Sequence, residues 1–126
     1  LEMGGYGLMI DIMLPNVLSE GYFKNPLIPI DLMKAARQEA NEDKQALFKL
    51  MRATKERPDY RPELKKITTP TIVIQGEKDT LFPLHMAQEV ADSIPNSKLA
   101  VIPFAGHTLN LEAIPQMVKA IKEFIS

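Results

Sequence analysis

The sequence has 126 residues, 45% of them apolar, and its 15 Lys and Arg against 16 Asp and Glu leave a formal net charge of -1. That length suits one modest domain or part of a larger one, and balanced charge with no long block of either sign argues against a polyanion partner, so no nucleic acid is expected. Cysteine is absent, which excludes a disulfide framework, a thiolate nucleophile and a Cys-based zinc site, and fits a cytoplasmic location.

In chain order, Leu1 stands where a methionine would open a complete reading frame, inside sequence that reads as ordered, so a fragment or a processed product is expected. The first residues carry no basic region followed by an apolar core, and no run approaches the roughly 18 apolar residues of a membrane span, so no membrane partner is expected. Gly4, Gly5 and Gly7 precede no strand and do not form a phosphate loop. Tyr6 to Leu18 is apolar and Met-rich, broken at Pro15, and Phe23 to Ile30 carries Pro26 and Pro29, which predicts short helices joined by turns. The Met-rich stretch from Leu8 to Leu14 reads as packing or as an adaptable apolar wall. Two better helices follow. Ile30, Met33 and Arg37 share one face, and Ala46 or Leu47, Leu50 or Met51, and Thr54 share the next.

The chain divides near residue 58. Residues 1–57 read as a helical region, and the charged, proline-punctuated stretch 58–70 reads as a linker. From residue 71 to 126 the pattern changes. Thr71 to Gln75, between Pro70 and Gly76, predicts a strand buried on both faces. Pro83 opens a helix with Leu84, Ala87, Val90 or Ala91, and Ile94 on one face, and Pro95-Asn96-Ser97 ends it. Lys98 to Pro103 predicts the next strand, and Met117, Ile121, Phe124 and Ile125 the inner face of a closing helix. Strand, helix, strand, helix at these lengths predicts an α/β fold, with a parallel βαβα unit and a right-handed crossover.

Two turns then matter for chemistry. Gly76 to Asp79 and Ala105 to His107 both follow the carboxyl ends of the predicted strands. Neighbouring strands lie about 4.8 Å apart, so Asp79 and His107 can meet at that edge, where open α/β sheets bind ligands. A carboxylate there would hold the imidazole in one tautomer and stabilise the imidazolium. Taken singly, the histidine reads as a capping or surface residue and the aspartate as a turn residue. His85 reads as exposed, Glu77 and Lys78 as a solvated turn, and the two histidines offer no tight metal spacing, so neither a metal nor a cofactor is expected.

The run ITTPTIVIQGEKDTLFPLHMAQEVADSIPNSKLAVIPFAGHTLNLEAIPQMVKAIKEFI resembles the last two strands and last two helices of the α/β-hydrolases, through P-T-x-V-x-x-G-x-x-D, a helix, a strand ending in G-H, and an amphipathic helix. Residues 1–57 resemble, more loosely, the helical cap inserted before those strands in esterases and enol-lactonase-like members. The resemblance implies Asp79 as the acid of a catalytic triad and His107 as its base. The family's nucleophile lies earlier, in G-x-S-x-G, and Ser19, Ser93, Ser97 and Ser126 all lack that context. The expected function is therefore the cap and C-terminal part of a serine hydrolase acting on a small-molecule ester, lactone or related acyl substrate. Its nucleophile would lie on sequence absent from this chain, and the expected partners are the missing N-terminal part of the same protein or a second copy joined through the open edge of the first strand. The alternative is a non-catalytic ligand receptor or interaction module of the same fold. Among enzymes, dehalogenase, peroxidase-like and C–C-bond hydrolase activities stay open.

Overall fold

A computed structural model describes residues 5–39 and 44–126. Strands β1 (Thr71–Gly76) and β2 (Ser97–Ile102) form a parallel two-stranded sheet, with Thr71 opposite Ser97 and Gly76 opposite Ile102. β-branched residues bounded by Pro70 and Gly76 favour the extended chain in β1. The crossover is α5 (Leu84–Ser93), which packs on both strands and buries Ala87 and Ala91. After β2 come a single turn, α6 (Leu109–Glu112), and the closing helix α7 (Ile114–Ile125), begun by Pro115 in its first turn.

Alternation along the strands puts Ile74 and Ile102 on one face of the sheet. There Ile102, Ala105 and Ala113 form a buried cluster flanked by Ile74, Leu109 and Ala120. The inward stripe of α7 is thus Ala113, Met117, Ala120 and Phe124, spaced for one helical face. Ile121 and Ile125, expected inside, are 38% and 74% exposed. A one-residue offset rotates a side chain by about 100°, and the small alanines are what fit closest to the sheet. The expectation of a strand buried on both faces is also corrected: Thr71 to Gln75 are only half-buried. Among the described residues β1 has a neighbour on one side alone.

The helical region comprises α1 (Gly5–Val17), α2 (Glu20–Lys24), α3 (Ile30–Glu39) and α4 (Lys44–Lys55). Pro15 does not break α1, which continues to Val17 and bonds Leu18 N to Leu14 O at 2.9 Å. The ring removes the bond to Asp11 O, but Asp11 is exposed and water can replace the lost donor. Ser19 caps α2, its Oγ accepting from Tyr22 N at 3.2 Å. Leu14, Leu18 and Tyr22 form the buried cluster of this region, with Val17, Ile30, Met33 and Leu111 packed against it. Leu111 belongs to α6, so the cluster joins the two regions. The stretch expected as a linker holds a 3-10 turn, Arg61–Lys66, which packs on α5 and reaches Glu89 through Arg61 Nη1 at 3.3 Å.

Candidate active site

The site begins with a glycine. A Cβ on Gly76 would run into the carbonyl oxygens of Ala105 and Gly106, so only glycine lets the end of β1 pass this close to the turn after β2. Backbone bonds then hold the two turns together: Glu77 N donates to Ile102 O at 2.9 Å and Lys78 N to Ala105 O at 2.8 Å. Phe104 adopts a left-handed backbone, φ 62°, unusual for a bulky residue. Glu77 Oε2 accepts from Phe104 N at 3.0 Å, which holds this conformation and keeps the Glu77 carboxyl below its ordinary range. Glu77 is exposed, as expected of a solvated turn, and it also acts as a clasp between the turns.

This clasp brings Asp79 and His107 together. His107 Nδ1 lies 2.9 Å from Asp79 Oδ2. The same oxygen accepts from Gln75 Nε2 at 2.9 Å, while Oδ1 accepts from Leu81 N and Phe82 N, both at 2.9 Å. These partners match the roughly four acceptor positions of a carboxylate. Burial opposes ionisation of Asp79, but the Phe82 amide, the imidazole and the Gln75 amide outweigh it, and the carboxyl is held below its ordinary value. An ionised carboxylate only accepts, so Nδ1 carries the ring proton and Nε2 is left as the basic atom. The Asp79 side chain is 4% exposed and the His107 side chain 37%. The Phe82 ring stands 5.4 Å from the imidazole, tilted by 39°. Asp79 therefore also fills the turn role that it would have taken on its own, since Leu81 and Phe82 follow it directly.

The helical region closes over these turns. Thr80 Oγ1 donates to Asn16 O at 3.1 Å, and Thr108 donates to Val17 O through both Oγ1 at 2.8 Å and N at 3.1 Å. These carbonyls lie in the last turn of α1, where no further helical N–H follows to bond them. Between the helices and the turns lies an apolar cavity of 420 Å3, with Met13, Leu14, Met33, Leu81, Leu111 and His107 in its wall. A volume of this kind suits a small organic ligand. The Met-rich stretch thus takes part in both packing and the wall through Leu14 and Met13, while the side chains of Leu8, Met9 and Ile10 lie outside the described residues.

His85 is exposed in the first turn of α5. Ser19 Oγ is spent on the α2 cap, Ser93 Oγ on Glu89 O at 2.6 Å and Ser126 Oγ on Glu123 O at 3.4 Å, while Ser97 Oγ is buried without a partner at the opposite end of β2. Among the described residues no three His, Asp or Glu gather in a way that could hold a metal ion. Gln75, Thr80 and Thr108 escaped the sequence reading. Their only signal was position: beside the strand end, the acid and the histidine.

A family profile for the alpha/beta hydrolase fold matches residues 20–114. RutD of Serratia proteamaculans (strain 568), whose name provisionally assigns it carbamate hydrolysis, is 40% identical over 53 residues, 42% of this chain and 20% of that protein. A thermophilic esterase from Thermogutta terrifontis superposes with a TM-score of 0.82 at 29% identity, covering 98% of this chain and 44% of the esterase. The enol-lactonase of Burkholderia xenovorans LB400 gives a TM-score of 0.82 at 22% identity, which speaks for the fold alone, over 98% of this chain and 46% of the lactonase. The chain thus spans less than half the length of these proteins.

Proposed function

Because the chain belongs to the α/β-hydrolase fold family, we propose that it contributes the acid and the base of a serine hydrolase acting on a small, largely apolar ester or lactone. The observation that carries this is the pairing of His107 Nδ1 with an Asp79 carboxylate bonded at both oxygens, the imidazole standing in the wall of an apolar cavity. Nε2 of His107 takes the proton of an attacking serine hydroxyl and later gives it to the leaving alkoxide, and Asp79 keeps the ring oriented without itself becoming protonated. The cavity wall named above carries no charged side chain besides the imidazole when that is protonated, which favours an uncharged acyl group.

Under this reading residues 1–57 are the cap, 58–70 the linker and 71–126 the C-terminal part of the core. The nucleophile is supplied by an N-terminal part of the same protein, because none of the four serines bonds to His107. The free side of β1 and the half-buried β1 side chains support a missing neighbour. No described helix is long and apolar enough to cross a membrane, and a cytoplasmic location belongs to the proposal.

The test starts from the reading frame around this chain. It should contain G-x-S-x-G at least about 30 residues upstream of Leu1, the length of one βαβ unit. The complete protein should hydrolyse aryl acetates and react with a fluorophosphonate, whereas the 126-residue chain alone should do neither. A frame with no nucleophile elbow would favour the non-catalytic receptor instead. Saturable, His107-dependent turnover by the isolated chain would place the nucleophile inside it.

A further inference from the structure

We propose that Glu112 is the positioning residue of the histidine turn, tying the backbone beside His107 to the junction of α1 and α2. The idea rests on the reading of His107 as the base, but its geometry stands apart from any turnover. Glu112 closes α6, whose amides at Leu111 and Glu112 both bond to Thr108 O, at 2.9 and 3.0 Å. That single turn folds the Glu112 side chain back under its own loop. There Oε2 accepts from Gly106 N at 3.0 Å and from Ser19 N at 2.9 Å.

Both donors belong to buried residues, so neither has ready access to water as a substitute. The place is tight as well. A Cβ on Gly106 would come within 2.8 Å of Glu112 Oε1 and of Ser19 N, and 3.1 Å from the carbonyl carbon of Leu18. The glycine before the histidine is there because the carboxylate and the Leu18-Ser19 backbone occupy the space of a side chain. The amides on either side of His107 are thus held by one structural unit: Thr108 N directly by Val17 O, and Gly106 N through Glu112. Any displacement of the junction moves the imidazole, and Glu112 is the half of this linkage that a substitution can remove.

Its other oxygen sharpens the case. Oε1 is buried with no hydrogen-bond partner. Glu112→Gln keeps an acceptor for both amides but puts an NH2 group where nothing receives its protons, so it should restore the linkage only in part. Glu112→Ala removes it altogether.

The experiment is nitrogen NMR and amide hydrogen exchange on the complete protein that carries this chain, with exposed His85 as the internal reference for His107. The wild type should show His107 protonated at Nδ1, and Ser19 and Gly106 amides exchanging together. In Glu112→Ala, both amides and the His107 ring proton should exchange at least about tenfold faster while Val73 and Leu99 keep their protection, with Glu112→Gln between. Unchanged exchange at Gly106 and at the ring would overturn the proposal. So would an equal acceleration at Val73 and Leu99, which would make Glu112 a general stabiliser. Should Glu112→Ala not fold, the wild type decides: protection of Ser19 and Gly106 differing by more than about tenfold would refute the shared tie. Loss of the catalytic reading would show as unchanged turnover in His107→Ala and would leave these exchange data standing.

Discussion

The strand-containing region and the helical region solve the same problem differently. In residues 71–126 the two turns that carry Asp79 and His107 are sewn to each other by backbone bonds, and the buried core is built of Ile94, Ile102 and several alanines. In the helices before residue 58, Leu32, Phe48, Leu50 and Met51 are 54–64% exposed, and among the described apolar side chains it is the Leu14–Leu18–Tyr22 cluster that is buried. Order in the first region comes from close backbone approach. Order in the second is concentrated at the α1–α2 junction, where it meets the first. The Asp79–His107 pair sits at that meeting, so the helices matter to the candidate site through their few polar ties more than through their apolar bulk.

The largest expected effect tests whether chemistry is separable from this framework. In the complete, elbow-bearing protein, His107→Ala and Asp79→Asn should each lower ester turnover on the order of 10^4-fold, His107→Ala with a nearly unchanged melting temperature. Full activity in His107→Ala would remove the histidine from the mechanism.

Next comes a paired glycine test. Gly76→Ala should destabilise the chain by about 1–3 kcal/mol or more in urea titrations, because its Cβ has no room. Gly21→Ala in α2 meets only Ser19 Oγ, at 3.7 Å, and should be neutral or stabilising by up to about 1 kcal/mol. Equal effects would erase the contrast between the regions.

A smaller effect should appear in acid. Asp79 has a carboxyl held below its ordinary value, so its contribution is present above about pH 3.9 and is lost as pH falls through the lower folded-state value. The carboxyl carbon of Asp79, followed by NMR, should titrate below about 3.9. A midpoint above that would mean that burial prevails over the Phe82, His107 and Gln75 bonds.

The smallest effect belongs to the exposed helix α4. Phe48→Ser and Leu50→Ser should shift stability by no more than about 0.5 kcal/mol. A large loss would show that α4 packs against something in the isolated chain and that the helical region is better buried than its exposures imply.

Local pattern made much of this protein legible beforehand. β1, α5 and β2 fall within about a residue or two of their expected bounds, because β-branched runs, helical periodicity and Pro or Gly punctuation act over a few neighbours. The order strand, acid turn, helix, strand, histidine turn likewise determined that Asp79 and His107 share an edge, since parallel pairing follows from the connection itself. What depended on distant partners was not written in any short stretch. Continuation of α1 through Pro15, selection of Ala113 and Ala120 for the inner face of α7, and the ties from Thr80, Thr108 and Glu112 to residues 16–19 were decided by tertiary structure. Glu112 and Ser19 are 93 positions apart. A carboxylate's choice between solvent and two buried amides depends on what the fold brings within about 3 Å of it, and sequence spacing carries no such distance.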